Sequence, residues 1–310
     1  MWLLHSVLIQ KEVRSVLNKH KKRDSWFLDD YSVNPYEGCS CNCRYCYIRG
    51  SKYGENMEEK LAVKVNAPDI LEKQLASRAR KGEYGIVFVG SATDAYMHHE
   101  KELKMTEQFL RVLLKYCFPV FVSTRCPLIL RDVNLLKEID KAAILPADLQ
   151  GKLNRGVILA TSVSTMSEEI ARTLEPGAAL PVQRLEMIQQ LKEEGFLAGV
   201  NAIPVLPFIS DTEEEIDRMV SSAANHQADF ILVGGLTLFG DGPADSKTLY
   251  FKFLERKFPH LITQYRQLYG NNFYPSRRYQ DELQEKANRL CTKYGISNSI
   301  LETAAAQSKG

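Results

Sequence analysis

Short hydrophobic runs alternate with longer amphipathic segments along most of the chain. The short runs are apolar on both faces, which is typical of buried parallel strands. The longer segments repeat their apolar residues at steps of three and four, which is typical of helices packed on a sheet. This pattern predicts strands over residues 32–37, 84–91, 119–124, 156–164, 197–205 and 230–238, and helices such as 102–115, 182–194 and 212–226.

The alternation predicts an α/β fold, because parallel strands need crossover connections of helical length. Six strand–helix units are too few for a closed eight-fold barrel, which leaves a partial barrel and an open doubly wound sheet as the candidates. The pattern leaves both open, and the family resemblance that follows implies the first, a partial (β/α)6 TIM-like barrel. In either fold the chemistry belongs at the C-terminal ends of the strands.

The last part of the chain does not continue the alternation. Residues 241–310 are rich in aromatic and basic side chains and read as mainly helical after Pro275. Residues 251–310 carry ten Lys or Arg against five Asp or Glu, an excess suited to an anionic partner but also found on solvated helix faces. We predict an N-terminal extension over residues 1–30, the barrel over 31–240 and a C-terminal cap or extension over 241–310.

Composition places the chain among ordinary globular proteins. It has 310 residues, of which 45% are hydrophobic and 25% charged. Its 40 Lys and Arg against 38 Asp and Glu lack the basic balance of a dedicated nucleic-acid binder. The longest uncharged stretch, 195–210, contains two prolines and is too short to span a bilayer. No basic region precedes the first apolar residues, so we predict a cytoplasmic protein without a membrane partner.

Four of the seven cysteines, Cys39, Cys41, Cys43 and Cys46, fall within eight residues. The odd total argues against a disulfide framework. Three thiolates at the spacing Cys-x3-Cys-x2-Cys can hold three irons of a [4Fe-4S] cluster and leave the fourth iron open to an exogenous ligand. A structural zinc site is the alternative, with Cys41 as a fourth thiolate, although no second Cys/His pair follows at zinc-finger spacing.

The segment around this motif, residues 34–47, closely resembles the cluster loop of radical S-adenosylmethionine (SAM) enzymes, and within them the spore photoproduct lyase-like group. Three further segments follow in the expected order: 90–96 after the second strand, 162–165 after the fourth, and 174–177, with Arg184 beyond it. The resemblance covers residues 32–238. It is specific to the group but not to a substrate.

The resemblance implies a set of cofactors and metal ligands. In such enzymes SAM chelates the open iron, and one electron from the reduced cluster generates a 5′-deoxyadenosyl radical that abstracts hydrogen from the substrate. A [4Fe-4S] cluster held by Cys39, Cys43 and Cys46 and bound SAM are therefore implied here. A reducing partner of the flavodoxin or ferredoxin type is also implied, with a substrate that the sequence does not identify.

The resemblance also implies SAM-binding side chains. Hydroxyl groups at two strand ends match the sites for the methionyl amino group and the ribose, and two arginines match basic positions whose guanidinium can pair with a carboxylate. A serine at a strand end can instead cap a turn, and an arginine on a helix is often solvated. The implied residues are Ser91 and Thr93 for the amino group, Ser162 and Ser164 for the ribose, and Arg125 and Arg184 for the carboxylate.

Four residues are catalytic candidates. Tyr45 and Tyr47 match tyrosines of the lyase's radical relay, although aromatic residues there also pack around the cofactors. Tyr96 lies just beyond the second strand. The lyase has a hydrogen-donating cysteine where this chain has Ala92, so Cys126, at the end of the third strand, is an alternative thiol donor or else a buried small residue.

Three functions remain open. The leading hypothesis is a radical SAM enzyme acting on an unidentified substrate. The second is a DNA-lesion repair lyase of the spore photoproduct lyase type, with nucleic acid as partner; the basic C-terminal region favours it, whereas Ala92 and the near-neutral charge oppose it. The third is a non-catalytic zinc-binding interaction protein, which leaves the ordered strand-end motifs unexplained.

Overall fold

The computed structural model describes residues 8–51 and 61–307. The strands are β1 (Ile9–Lys11), β2 (Asn18–Lys19), β3 (Asp29–Val33), β4 (Tyr36–Glu37), β5 (Ala62–Lys64), β6 (Ile86–Val89), β7 (Val120–Ser123), β8 (Val157–Ser162), β9 (Leu197–Ala202) and β10 (Ile231–Val233). The helices are α1 (Ala67–Arg80), α2 (Glu100–Leu103), α3 (Met105–Lys115), α4 (Val133–Ala142), α5 (Glu168–Leu174), α6 (Pro181–Glu193), α7 (Glu213–Asn225), α8 (Ser246–Lys257), α9 (Ile262–Tyr269), α10 (Arg277–Tyr294) and α11 (Ile300–Gln307).

The main sheet has the order β10-β9-β8-β7-β6-β3-β2. Six of these strands, β3 and β6 to β10, are parallel to one another, and β2 pairs antiparallel with β3 at one edge. Successive parallel strands all add on the same side, so right-handed crossovers place the connecting helices on one face of the sheet. A doubly wound sheet would reverse direction. The predicted α/β partial barrel of six parallel strands, with additional C-terminal helices, is confirmed.

The two faces of the sheet have separate cores. The outer face packs against the helices, for example through Leu110 of α3 and Leu185 of α6. On the inner face, residues from the first halves of the strands, such as Ile86 and Leu197, pack against Ile300 and Ala304 of α11. We call this inner core the barrel floor; it comprises Leu28, Ile86, Phe121, Leu149, Leu153, Ile158, Ala160, Leu197, Phe230, Leu232, Ile300 and Ala304. The floor leaves the opposite end, where the strands terminate, for a cavity.

The first predicted strand, 32–37, is two separate strands. β3 ends at Val33, and β4 pairs instead with β5 in a three-stranded sheet of order β1-β5-β4. The break falls at Pro35, whose nitrogen cannot donate to a ladder. The last two strands also end earlier than predicted, because Pro204 follows β9 and two glycines follow β10.

The predicted division into extensions and barrel stays a prediction. Of the N-terminal extension, residues 1–7 lie outside the described residues, and β2 joins the main sheet. Of the C-terminal extension, residues 308–310 lie outside them, while α11 enters the barrel floor. Within the described part of the chain, none of the helices combines the length and apolar character needed to cross a membrane.

Candidate functional site

A cavity of about 270 Å³ lies at the C-terminal ends of the strands. Its wall combines the cysteine-rich loop after β4 with residues at or just beyond the C-terminal ends of β6, β7, β8, β9 and β10. Of the residues predicted as functional, those in the wall are Cys39, Cys43, Tyr45, Cys46, Tyr47, Ser91, Thr93, Arg125 and Ser162. The fold therefore brings together side chains that are up to 123 positions apart in the sequence, from Cys39 to Ser162.

The cysteine loop is held in place by backbone contacts. Asn42 has a positive φ of 51°, and Arg49 donates to the Cys43 carbonyl at 3.1 Å. The amide of Arg44 donates to the Leu174 carbonyl at 2.8 Å, and that of Gly177 to the Cys41 carbonyl at 3.1 Å. These bonds dock the loop on the turn between α5 and α6. Burial raises the pKa of the Cys43 thiol, so an electropositive metal centre must displace its proton.

Glycine is required where the loop meets this turn. A Cβ on Gly177 would overlap the Ser40 carbonyl oxygen and lie 2.9 Å from the Cys41 Cα, which is closer than Cβ atoms approach backbone. We expect Gly177→Ala to displace the loop and to lower the iron content per chain after anaerobic reconstitution. Gly235→Ala, whose nearest neighbouring atom would be 3.7 Å away, is the control. Equal iron contents in the two variants would contradict this docking argument.

The thiols of the predicted cluster motif are not gathered as a single ion requires. In a tetrahedral zinc site, ligand sulfurs bound at about 2.3 Å lie roughly 4 Å apart. Among the described residues, the group whose ligand atoms all lie within 4.8 Å of one another is Cys41, Asp94 and Cys126, and the motif's three thiols form no such group. At least one pair of the motif's sulfurs is therefore more than 4.8 Å apart, a spacing that fits a multi-iron cluster better than one zinc ion.

Several buried polar atoms of the cavity wall have no protein partner. Within the described residues, Thr93 Oγ1, Arg125 Nε and Asn201 Oδ1 are buried without a hydrogen bond. Buried polar atoms are nearly always paired, so these three indicate a polar ligand. A hydroxyl, a guanidinium N–H and an amide oxygen suit the amino, carboxylate and hydroxyl groups of SAM. The wall therefore fits this cofactor.

Ser164 and Arg184 lie beside the cavity and are not part of its wall. The Arg184 guanidinium, 1% exposed, pairs with Glu175 and donates to the carbonyls of Ser162 at 2.8 Å and Ala179 at 2.7 Å. Ser164 donates to Glu175 at 2.9 Å. Arg184 is therefore not on a solvated face. The predicted contacts of these two side chains with SAM stay predictions.

The four catalytic candidates are divided between the cavity and the interior. Tyr45 is buried in the wall and contacts Ser164 and Glu175 through its hydroxyl. Tyr47 is half-exposed and donates to the Ser91 carbonyl at 2.6 Å. Tyr96 is fully buried, and its hydroxyl donates to Asp132 at 3.0 Å outside the cavity wall. Cys126 also lies outside the wall, beside Cys41. Their catalytic roles stay predictions.

Sequence reasoning missed three polar residues of the site. Asn201 interrupts the apolar run of β9, and its amide nitrogen donates to Ser123 at 3.0 Å. Asp94, within the matched segment 90–96, accepts from the Arg125 amide at 2.8 Å and so joins two strand ends. Glu175 lies in the matched segment 174–177. A polar residue inside an apolar strand was the available signal for Asn201.

The sequence matches the family model described as the radical SAM superfamily over residues 33–223. The chain belongs to the radical SAM superfamily. Radical SAM enzymes use a [4Fe-4S] cluster and SAM, and both cofactors fit the cysteine loop and the cavity wall.

Similar proteins occur in bacteria, archaea and viruses. An uncharacterised protein of Mycobacterium tuberculosis is 29% identical over 273 residues, which is 86% of this chain and 75% of the relative. One from Methanocaldococcus jannaschii is 24% identical over 264 residues, 82% of this chain and 84% of the relative. A radical SAM Nα-GlyT isomerase of Pseudomonas phage M6 is 22% identical over 204 residues, 64% of this chain and 39% of that protein.

Solved radical SAM structures share the fold. A mutant of spore photoproduct lyase superposes with a TM-score of 0.65 at 15% identity, covering 94% of this chain and 81% of that one. The lyase complexed with dinucleoside spore photoproduct gives 0.64 at 14% identity, with 94% and 81% coverage. A double mutant with bound AdoMet and dinucleoside spore photoproduct gives 0.60 at 14% identity, with 89% and 78% coverage. The predicted likeness to the spore photoproduct lyase fold is confirmed.

A second cavity of about 520 Å³ adjoins the first and shares Phe27, Tyr47, Phe88 and Ser91 with it. Its wall includes Asp29, which is 1% exposed and lies 3.1 Å from the His20 ring nitrogen. Burial raises the pKa of Asp29 to about 6, against the opposing charge of His20.

The raised pKa of Asp29 predicts a pH dependence of stability. In the folded chain the Asp29 carboxyl group keeps its proton up to about pH 6, whereas an aspartate in the unfolded chain loses it near pH 4. We therefore expect the free energy of unfolding to fall as the pH rises through this interval. Asp29→Asn should flatten the slope in urea unfolding, while Asp281→Asn, an exposed control, should leave it unchanged. A slope unaffected by Asp29→Asn would contradict the prediction.

Proposed function

We propose that this chain reductively cleaves SAM at a [4Fe-4S] cluster and directs the resulting radical at a hydrogen atom of its substrate. One observation carries the proposal: three buried polar atoms without protein partners line the same cavity as three cysteines at radical SAM spacing. Family membership supports it independently.

Cys39, Cys43 and Cys46 are the proposed cluster ligands, since all three line the cavity. When bound, the cluster and SAM supply a 5′-deoxyadenosyl radical and so the capacity to abstract hydrogen. The protein's contribution is to hold both groups, orient SAM and exclude water. Cys43 is 7% exposed, which suits a ligand shielded from solvent.

Thr93, Arg125 and Asn201 are the proposed SAM contacts, because each has an unpaired buried atom in the wall. Arg125 would pair with the methionyl carboxylate, for which a guanidinium offers two parallel N–H donors. Ser162, at the end of β8, and Ser91, at the end of β6, add hydroxyls to the same wall. Tyr45 and Tyr47 also line it and are the proposed redox-active aromatic residues.

The proposal is tested by incubating the anaerobically reconstituted protein with SAM and dithionite. We expect 5′-deoxyadenosine to form, and we expect SAM to change the electron paramagnetic resonance spectrum of the reduced cluster whether or not substrate is present. The spectral change does not depend on turnover. A protein that holds four irons but gives neither response would overturn the proposal.

The role of Arg125 has its own test. Arg125→Gln is expected to raise the KM for SAM about 10- to 100-fold, because a hydrogen bond to a charged group contributes about 1.5–3 kcal/mol. Arg125→Lys keeps the charge but not the paired donors, so its KM for SAM should lie between those of Arg125→Gln and the native protein. An unchanged KM in Arg125→Gln would assign the carboxylate to another residue.

Repair of a DNA lesion is the second candidate function. It is supported by the fold shared with spore photoproduct lyase bound to a dinucleoside photoproduct and by the basic excess of residues 251–310. Ala92 opposes it, because the thiol that the lyase resemblance implies there is absent. Irradiated DNA added to the SAM cleavage assay tests this candidate. Loss of the lesion together with salt-dependent DNA binding would favour repair, whereas the absence of both would exclude it. The proposed electron donor for either reaction is a flavodoxin or ferredoxin.

A further inference from the structure

Two cysteines outside the cluster motif, one in the cysteine loop and one after β7, lie close together. Cys41, in the loop, is completely buried and is not part of the cavity wall, and Cys126, directly after Arg125, is partly buried. The Cys41 thiol lies 3.6 Å from Asp94 Oδ2 and within hydrogen-bonding reach of two thiols, those of Cys126 and of the proposed cluster ligand Cys39. The three ligand atoms all lie within 4.8 Å of one another.

We propose that Cys41, Asp94 and Cys126 bind a divalent metal ion, zinc in the first instance, at a second site directly beside the proposed cluster ligand Cys39. Two thiolates and one carboxylate suit a borderline-soft cation such as Zn²⁺. The observed spacing needs a contraction of only about 1 Å to reach the ligand separation of a tetrahedral zinc site. A solvent molecule completes the coordination.

The Asp94 carboxylate is already oriented for such a role. Its Oδ1 accepts from Thr124 Oγ1 at 2.6 Å and from the Tyr96 amide at 2.9 Å, and its Oδ2 accepts from the Arg125 amide at 2.8 Å. Partners of this kind fix a ligand's position and strengthen metal binding. The second lone pair of Oδ2 accepts from the Cys41 thiol, so it becomes available to a metal ion when that thiol loses its proton.

The location gives the ion a structural effect. Cys41 belongs to the cluster loop, Asp94 follows β6 and Cys126 follows β7. A metal ion would therefore tie the loop to two strand ends and fix the position from which Cys39 and Cys43 reach the cluster. A buried thiol pair without metal would provide only a weak hydrogen bond between them.

Metal analysis of the reconstituted holoenzyme, made with zinc and iron both present and desalted over chelating resin, tests the site. We expect one zinc per chain together with the full iron content. Cys41→Ser and Cys126→Ser should each lose the zinc while keeping the iron, and Cys117→Ser, a partly buried cysteine elsewhere, should keep both. Thr124→Val should weaken zinc binding about 10-fold by removing a hydrogen bond to Asp94.

Three outcomes would overturn the proposal. Native protein without zinc but with a Cys41–Cys126 disulfide would make the pair a redox element. Loss of iron in Cys126→Ser would make it part of cluster binding. If Cys43→Ala loses the zinc while Cys126→Ser keeps it, the zinc is bound by the cluster motif of chains that lack iron. Replacing zinc with cobalt gives a direct probe of the site. Cobalt bound to thiolates shows a charge-transfer absorption, which Cys41→Ser and Cys126→Ser should each abolish. Failure of SAM cleavage alone would bear on the proposed function and not on this site.

Discussion

Cys43→Ala is expected to reduce 5′-deoxyadenosine formation to background and to deprive the reconstituted protein of a stable [4Fe-4S] cluster. With one of three protein thiolates missing, the iron that it held is exposed to loss, and SAM has no intact centre to chelate. Cys43 is the most deeply buried of the three proposed ligands, so solvent cannot readily replace its sulfur. Iron content, the reduced-cluster spectrum and 5′-deoxyadenosine should all be measured on one preparation.

Cys117→Ala is the matched control, because Cys117 is partly buried in the turn after α3 and lies outside the cavity wall. It should retain the native iron content and SAM cleavage. If Cys43→Ala kept a full cluster and native cleavage, the ligand set proposed here would be wrong.

Arg184→Met is expected to lower the free energy of unfolding by about 3–5 kcal/mol, because it leaves the Glu175 carboxylate buried without its ion-pair partner. Both side chains of the pair are at most 2% exposed. Burial acts to raise the pKa of Glu175, but the charges of Arg184 and Arg125 outweigh it and hold that pKa below its ordinary value. In the native protein this contribution to stability is present above the unfolded pKa and is lost as the pH falls through the folded pKa.

Arg172→Met is the matched control for this experiment. Arg172 pairs with Glu168 one turn away on α5 at 3.4 Å, and both side chains are more than half exposed. Exposed pairs contribute about 0–1 kcal/mol, so this variant should unfold almost like the native protein. Equal losses in the two variants, measured by urea unfolding near pH 7, would contradict a special role for the buried pair.

The sequence allowed the barrel and the cluster motif to be predicted because both depend on local patterns. Six strands follow from short-range hydrophobicity, and three cysteines within eight residues bring their own proximity. The position of Arg184 could not be obtained in this way. The local sequence around Arg184 predicts only that it lies on a helix. The packing of α6 against β8 is what directs its side chain inward to Glu175.

The same limit applies to Cys126 and to the first strand. Cys126 follows a strand end, which suggested a place in the cavity, but the chain turns after Arg125 and carries the thiol to Cys41. Pairing partners 25 or more positions away decide that Tyr36 and Glu37 join β5 and not the main sheet. Such long-range choices depend on tertiary packing, which no window of sequence contains.

The barrel floor has a consequence for how the chain is made. Ile300 and Ala304 of α11 cover apolar residues of strands that were synthesised long before them, from β6 to β10. While the ribosome is still adding the C-terminal helices, the part of the inner face that α11 covers remains exposed. Exposed apolar strands of this kind are the surfaces that chaperones bind and that aggregate when left free. Folding of the barrel is therefore completed only after α11 has emerged from the exit tunnel.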